Sequence, residues 1–400
     1  LSIFFTFMVL IIIILVFSSL MNRTRIPLET AFMIAGIIIG PYGFKILPLG
    51  GTIQELASFG LIYMLFLAGL EIKVEHFREI GTRILTFGLF TFLFPFLVGF
   101  LIGVYFGLDR LGSVLLGSIL SSHTIITYPF LKERGLMKEE VVSVAFYGTV
   151  FTDVGALLVL ALTIAAKSGG SLVAESGRIG ISFLIFVTVV LGGIPKLARQ
   201  FFKFDRLKRS DFHFIILILL ATAVLAEVMN IHAIIGAFFA GIALSAGLKY
   251  SPDTEPLKDV YFFGKSFFIP IFLIVLGMNT NLSVLLRKPG SLAIAICVVL
   301  GLILTKICAG LLTGKIFNYG LGRSLALGFL TLPQLAVTLA AAIAGKDLGI
   351  IPLSVFDAVV IMSIITSLIS PPLVKWIFDR IQRKTSNPQN SITNRILGKT

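Results

Sequence analysis

About thirteen stretches of roughly 18 to 27 mainly apolar residues follow one another along this 400-residue chain. Each can cross the ~30 Å hydrocarbon core of a bilayer as a helix. They lie near residues 1–20, 29–47, 54–72, 82–107, 112–131, 140–166, 178–200, 211–229, 232–248, 261–280, 290–314, 321–345 and 353–378. Backbone in lipid must satisfy its own hydrogen bonds, so such a series predicts an all-α polytopic membrane protein. Composition agrees: 57% of residues are hydrophobic and 13% charged, against about 25% charged in soluble domains. The net charge of +13 would point to nucleic acid in a soluble protein. Here the basic residues gather in loops, so no nucleic-acid partner is expected and the bilayer is the partner. The first run is followed by Asn22-Arg23-Thr24-Arg25, not by a small-residue cleavage site, and reads as a spanning helix, not a signal peptide.

Cytoplasmic loops carry the excess of Lys and Arg. Loops after odd-numbered helices, with the tail, hold 25 of the 33 basic residues, and the opposite side holds seven. The amino terminus is therefore expected outside and the carboxyl terminus in the cytoplasm, in an inner or plasma membrane. The remaining basic residue, Lys306, lies inside helix eleven.

The two halves repeat at a separation of about 205 to 210 residues. The segment from Ile26 to Gly36 resembles Ile231 to Gly241, and Leu65 to Gly69 resembles Leu273 to Gly277. A shift of seven helices reverses orientation, which predicts an inverted repeat, an architecture of transporters whose sites lie where helices break near mid-membrane. The expected breaks are Ser121-Ser122-His123-Thr124, continuing to Pro129, and Thr331-Leu332-Pro333-Gln334. Proline removes a backbone donor, and free backbone groups at that depth are tolerated where they line a buried or wet cavity.

Asp153 sits in the middle of the sixth run, where a charge is expensive and is usually functional. Burial favours its protonated form and a bound cation favours the carboxylate, so proton and cation compete. Lys306, about eight residues or ~12 Å from its cytoplasmic helix end, is too deep to snorkel comfortably. It is expected to form a buried pairing, as a charge partner of the empty carboxylate that the cation displaces, or to lose its proton readily. Neither residue has a charged counterpart in the other half, near Ile361 to Ser363 and Pro95 to Val98.

These residues, with Gly36-Ile-Ile-Ile-Gly40-Pro41, Leu65-Phe-Leu-Ala-Gly69-Leu-Glu71, Phe151-Thr152-Asp153 and Phe272 to Met278, resemble the monovalent cation:proton antiporters, on the branch with the Kef-type potassium transporters. The resemblance covers nearly the whole chain. It implies a dimer domain of helices one to three (1–80) and eight to ten (210–286). It also implies a core domain of helices four to six (81–170) and eleven to thirteen (287–379). A linker helix and basic loop (171–209) and a polar cytoplasmic tail (380–400) complete the chain. It further implies alternating access and a homodimer, with a cytoplasmic regulatory domain or subunit as an expected partner. Asp153, Thr152, Ser122 and Thr124 are then the ion and proton site, Lys306 the charge partner, and His123, Pro129, Pro333 and Gln334 the crossover. Electrogenic members carry two adjacent acids where this chain has Thr152-Asp153. A single carboxylate predicts one proton exchanged per Na+ or K+.

No cofactor and no enzymatic activity are expected. Cys297 and Cys308 lie on one helix about 16 Å apart and cannot bridge each other. The four histidines, His76, His123, His213 and His232, show no metal spacing. His123 beside the crossover is a candidate pH sensor, though a satisfied buried imidazole is the plainer reading. Glu71 and Glu227 are expected to face water, and Asp211 to begin a helix. Alternatives are a K+ efflux channel on the same scaffold, a Na+-coupled symporter and, least favoured, an intramembrane hydrolase, which would need a second acid or activated nucleophile near Asp153.

Overall fold

A computed structural model describes residues 3–21, 26–71, 81–127, 130–131, 134–136, 139–167, 172–204, 211–229, 231–248, 255–283 and 289–385. All regular structure among them is helical: α1 (Ile3–Met21), α2 (Leu28–Ile39), α3 (Gly51–Leu70), α4 (Gly81–Tyr105), α5 (Arg110–Ser121), α6 (Glu140–Lys167), α7 (Leu172–Phe204), α8 (Asp211–Val228) and α9 (Ala233–Leu248). Next, α10 (Glu255–Phe263) runs through a π-helical turn, Gly264–Phe268, into α11 (Ile269–Asn279). The chain ends with α12 (Pro289–Ile316), α13 (Gly320–Leu330), α14 (Ala336–Asp347) and α15 (Leu353–Thr385). Nine spans among the described residues are long and apolar enough to cross a membrane, and four further apolar helices are shorter. Every predicted run has a helix, but the predicted fifth ends early, at Ser121, and the predicted twelfth is divided into α13 and α14.

Packing sorts the helices into two groups. In one, α4 packs on α5, α6 and α12, and α13 and α15 pack on α12. In the other, α3 packs on α9 and α11, α2 on α11, and α7 and α8 on α9. The groups meet chiefly where α14 touches α3, α15 touches α2 and α6 touches α7.

Glycines set the closest crossings, and their arrangement bears directly on the repeat. Gly36 matches Gly241 in the sequence repeat, and Gly69 matches Gly277. In space they pair crosswise: a Cβ on Gly36 would run into the Ile274 carbonyl beside Gly277, and one on Gly69 into the Phe238 carbonyl beside Gly241. A second set recurs within each half, shifted by 211 residues: Gly99 against Gly117 and Gly103 against Ser113 in α4–α5, then Gly310 against Gly328 and Gly314 against Ser324 in α12–α13. A two-fold relation between copies that cross the membrane in opposite senses accounts for this exchange of partners. Without side chains at these points the backbones approach closely, which replaces the hydrophobic drive that lipid cannot supply. Gly36→Ala is therefore expected to destabilise by about 1–3 kcal/mol or more through overpacking, seen as a lowered unfolding temperature in detergent. Gly192→Ala, with nothing within 4 Å of the added carbon, is expected to leave that temperature unchanged.

At one end of the first group, polar contacts tie helix ends together. Arg83 pairs with Glu140, Tyr319 Oη donates to Glu140, Arg323 Nε lies 3.2 Å from Glu139 and Arg134 Nη1 lies 3.4 Å from Asp379. Each is partly exposed and individually weak, but together they link α4, α6, α13 and α15. α15 keeps its helical turns to Thr385, and the polar stretch beyond lies outside the described residues.

Candidate functional site

Both predicted breaks occur, and they face one another. α5 stops at Ser121, and Ser122 adopts extended backbone (φ −63°, ψ 166°). α13 stops at Leu330, and Leu332 to Leu335 are non-helical before α14 begins. The two irregular segments are joined directly: the Thr124 N–H donates to the Pro333 carbonyl at 2.8 Å. Helix ends left without intrahelical partners are thereby brought to one point inside the protein. Pro129 lies outside the described residues.

Asp153, on α6, is 5% exposed and points at the first break. Ser122 Oγ donates to its Oδ1 at 2.6 Å, and the His123 backbone also hydrogen-bonds the carboxylate. A cavity of about 80 Å³ reaches Asp153, walled by Thr124, Thr149, Phe146, Ala68, Ala336 and Glu71. Ala336 is the first residue of α14, so the positive end of that helix dipole faces the same cavity as the carboxylate. Glu71 was expected only to face water. It is accessible to solvent yet surrounded by protein, and this desolvation raises its pKa above the ordinary carboxylate value, with Lys265 opposing and Glu29 adding to the rise.

Lys306, on α12, is fully buried. Its ammonium donates to the Ser121 carbonyl at 2.8 Å, the Thr91 carbonyl at 3.0 Å and Thr91 Oγ1 at 3.2 Å, and stands 3.5 Å from His123 Nδ1. The expected direct pairing with Asp153 is absent, since no ion pair within 4.0 Å joins them. The reason is local: α5 ends at Ser121 with its carbonyls free, and a cation at the negative end of a helix dipole is favourable. Lys306 satisfies that end and acts on Asp153 electrostatically, past His123.

His123 is the joint between the two charges. Its backbone bonds Asp153, and its Nδ1 lies 3.1 Å from Thr152 Oγ1 as well as near Lys306. Nδ1 facing an ammonium suits an acceptor nitrogen, which places the imidazole proton on Nε2, and Nε2 has no hydrogen-bond partner. With Nδ1 as an acceptor, the single Thr152 hydroxyl proton serves either His123 Nδ1 or the Thr149 carbonyl at 3.0 Å, so Thr152 lies against the imidazole rather than joining the carboxylate. Gln334 sits on the far segment, where Thr338 Oγ1 donates to its Oε1 at 2.6 Å and its Nε2 is unpartnered. Thus Asp153, Ser122, His123, Thr152 and Lys306 form one connected cluster, and Thr124 shares the cavity. Pro333 joins through its carbonyl, and Gln334 stands apart. Thr91 was missed in the sequence; its only signal was a polar residue within the apolar fourth run.

Comparisons with known proteins bear on the family and the fold. The family described as sodium/hydrogen exchanger, transmembrane, matches residues 8–380. The chain is 34% identical over 380 residues to the probable Na(+)/H(+) antiporter 3 of Methanocaldococcus jannaschii, covering 94% of this chain and 97% of that protein. It is 33% identical over 374 residues to the Na(+)/H(+) antiporter NhaS5 of Synechocystis, covering 91% of this chain and about half, 53%, of that longer relative. It is 25% identical over 351 residues to the Na(+)/H(+)-K(+) antiporter GerN of Bacillus cereus, covering 86% of this chain and 88% of that one. The solved structure of the sodium proton antiporter MjNhaP1 from M. jannaschii at pH 8 shares the fold, with a TM-score of 0.67 at 17% identity over 92% of this chain and 95% of that one. With its paired helix breaks around a buried carboxylate, this integral membrane protein belongs to the sodium/hydrogen exchanger family.

Proposed function

We propose that the chain exchanges Na+ or K+ for H+ across a plasma membrane, with Asp153 as the carboxylate that both ions share. The observation that carries this is a buried acid in the wall of a small cavity, held by Ser122 Oγ at 2.6 Å. One carboxylate carries either a proton or a monovalent cation, and either load leaves it neutral. Exchange is then one for one and electroneutral. Ser122, Thr124 and the carbonyls freed by the two breaks supply further oxygens for a dehydrated cation, as hard monovalent ions require. Ser122→Ala removes a hydrogen bond to a charged group, a contribution of about 1.5–3 kcal/mol. It is expected to raise the apparent KM for cation roughly tenfold or more, with the maximal rate changed less.

Alternating access needs a second opening, and a cavity of about 370 Å³ supports one. It is walled by Gln54, Ser58 and Leu61 of α3, Asn279 of α11, Ile343 and Lys346 of α14, and Phe356 of α15. Along α3 the two cavities end at Leu61 and Ala68, and along α14 at Ile343 and Ala336. Each interval is seven residues, about 10 Å of helix. That closed interval favours stepwise exchange over a channel, which needs a continuous path. The helices α4–α6 and α12–α15 form the moving core, and α1–α3 with α8–α11 the dimer-forming scaffold of a homodimer. From the distribution of basic residues, the Glu71 cavity opens to the cytoplasm and the larger one outside. Proteoliposomes with an imposed pH gradient test this: Na+, K+ or Li+ is expected to drive proton movement at the same rate whether or not the membrane potential is clamped. Movement of cation without proton would overturn the reading.

A further inference from the structure

Asp357, near the start of α15, is a fully buried acid that the exchange chemistry at Asp153 does not use. Its Oδ1 accepts the backbone N–H of Asn281 at 3.1 Å, and its Oδ2 has no partner. Asn281 follows α11, whereas Asp357 belongs to α15, so the bond links the scaffold to the core. Its two ends adjoin the larger cavity: Phe356 and Asn279 both wall it. Lys346 lies over the Phe356 ring at 4.7 Å, pairs with Asp347 at 3.4 Å and acts electrostatically on Asp357. A buried carboxylate bonded to a single backbone donor is costly, because one hydrogen bond offsets only part of its desolvation. Asn281 Oδ1 meanwhile accepts the Ser283 N–H at 3.1 Å, holding the turn that presents the donor.

We propose that Asp357 is a positioning residue of the exchange cycle: its bond to the Asn281 N–H latches the core against the scaffold beside the larger cavity while Asp153 communicates with the smaller one. This rests on the two-body reading above. When the core moves to expose Asp153 at the other face, α15 shifts against the α11 end and this bond breaks. Its strength therefore weights the two access states without touching the transported ion.

The test uses a cysteine at Ala57, in the wall of the larger cavity and only 6% exposed, and another at Thr149, in that of the smaller. Both native cysteines are first replaced by Ala, and a membrane-impermeant maleimide is applied to one side of proteoliposomes at a time. Asp357→Ala loses the acceptor. It is expected to label about tenfold faster at Ala57→Cys, as loss of a hydrogen bond to a charged group implies, and more slowly at Thr149→Cys. Asp357→Asn keeps an acceptor oxygen, and Asn281→Ala keeps the backbone donor; both are expected to label as the parent does. In Asp357→Ala the KM for cation applied from the two sides should shift in opposite directions. Equal labelling of both cysteines in parent and Asp357→Ala, in protein with unchanged gel-filtration behaviour, would overturn the latch. If Asp357→Ala does not fold, Asn281→Pro decides, since it removes the backbone donor and leaves the carboxylate in place: labelling about tenfold faster at Ala57→Cys supports the latch, and parental labelling refutes it. If Asp153→Asn still exchanges ions, the underlying reading fails instead, and the labelling result is independent of it.

Discussion

In proteoliposomes, Asp153→Asn brings cation-dependent proton movement down to the level of empty liposomes, while the protein keeps its gel-filtration profile. Asn is nearly isosteric and accepts the Ser122 hydroxyl as the carboxylate does at 2.6 Å, so the cluster around it is preserved. What it lacks is a group that can be neutral with a proton and neutral with a cation. An amide offers no charge to a cation stripped of water, and removing the charge from a desolvated ion site eliminates most of the binding free energy. Asp153→Glu is a graded companion. Its extra methylene enters a cavity of only about 80 Å³, so exchange should persist with a weakened apparent affinity. Residual exchange near the parental rate in Asp153→Asn would mean that another acid carries the proton. Asp357 and Glu71 are then the acids to test next.

The second large effect concerns Lys306, and here two costs compete. Burying an ammonium costs several kcal/mol, and replacing a buried ion pair by apolar groups is often neutral. Against this, Lys306→Met leaves the Ser121 and Thr91 carbonyls, both bonded at 3.0 Å or less, without donors. Unsatisfied buried acceptors cost about 1–3 kcal/mol each, and ionised Asp153 also loses the electrostatic support that Lys306 gives it without an ion pair, so destabilisation wins. The electrostatic part exists only while Asp153 is ionised. The loss of unfolding temperature is therefore expected to be greatest at alkaline pH and to shrink as the pH falls and Asp153 takes up its proton. Asp153→Asn combined with Lys306→Met should recover part of the loss at alkaline pH. Thermal unfolding of the four proteins across pH measures this coupling. A loss of equal size at every pH, with or without Asp153, would leave Lys306 as a local tie for α4 and the end of α5. Lys306→Gln, which retains donors, separates hydrogen bonding from charge.

Sequence patterns carried much of this architecture because lipid imposes strong rules. Apolar runs must be helices, and lone charges such as Asp153 and Lys306 stand out against them. The repeat was legible too, through Gly36 and Gly241 and through Gly69 and Gly277. What a linear comparison lacks is the crosswise pairing, because matched positions and touching positions are different relations. Proline proved an incomplete signal for breaks. Pro95, Pro195, Pro371 and Pro372 all sit inside continuous helices, whereas the first break begins at Ser122 with no proline beside it. At that point polar side chains and a facing partner segment, through Thr124 and Pro333, stabilise the unwound backbone.

The site was legible in membership but not in wiring. Ser122, His123 and Asp153 were predicted together and meet. The pairing of Lys306 with Asp153 was the natural expectation for two lone opposite charges, yet the free carbonyl at the end of α5 competes for the ammonium and holds it. That competition depends on where α5 stops and on Thr91 of α4, 215 positions from Lys306. Asp357 left no sequence signal: it lies near a helix start, where acids are common, and only its burial and its bond to Asn281 distinguish it. The π-helical turn at Gly264–Phe268 was likewise hidden inside an apolar run that reads as ordinary helix.

The central claim is that one carboxylate holds either a proton or a cation and never both. Its most direct test is proton release on cation binding, measured with purified protein in weakly buffered detergent solution by adding Na+ or K+ and following pH. The expected result is about one proton released per cation bound when Asp153 starts protonated, as competition at a single acid requires, and neither binding nor release in Asp153→Asn. Saturable cation binding to the protonated protein with no proton released, or release that survives in Asp153→Asn, would contradict the account.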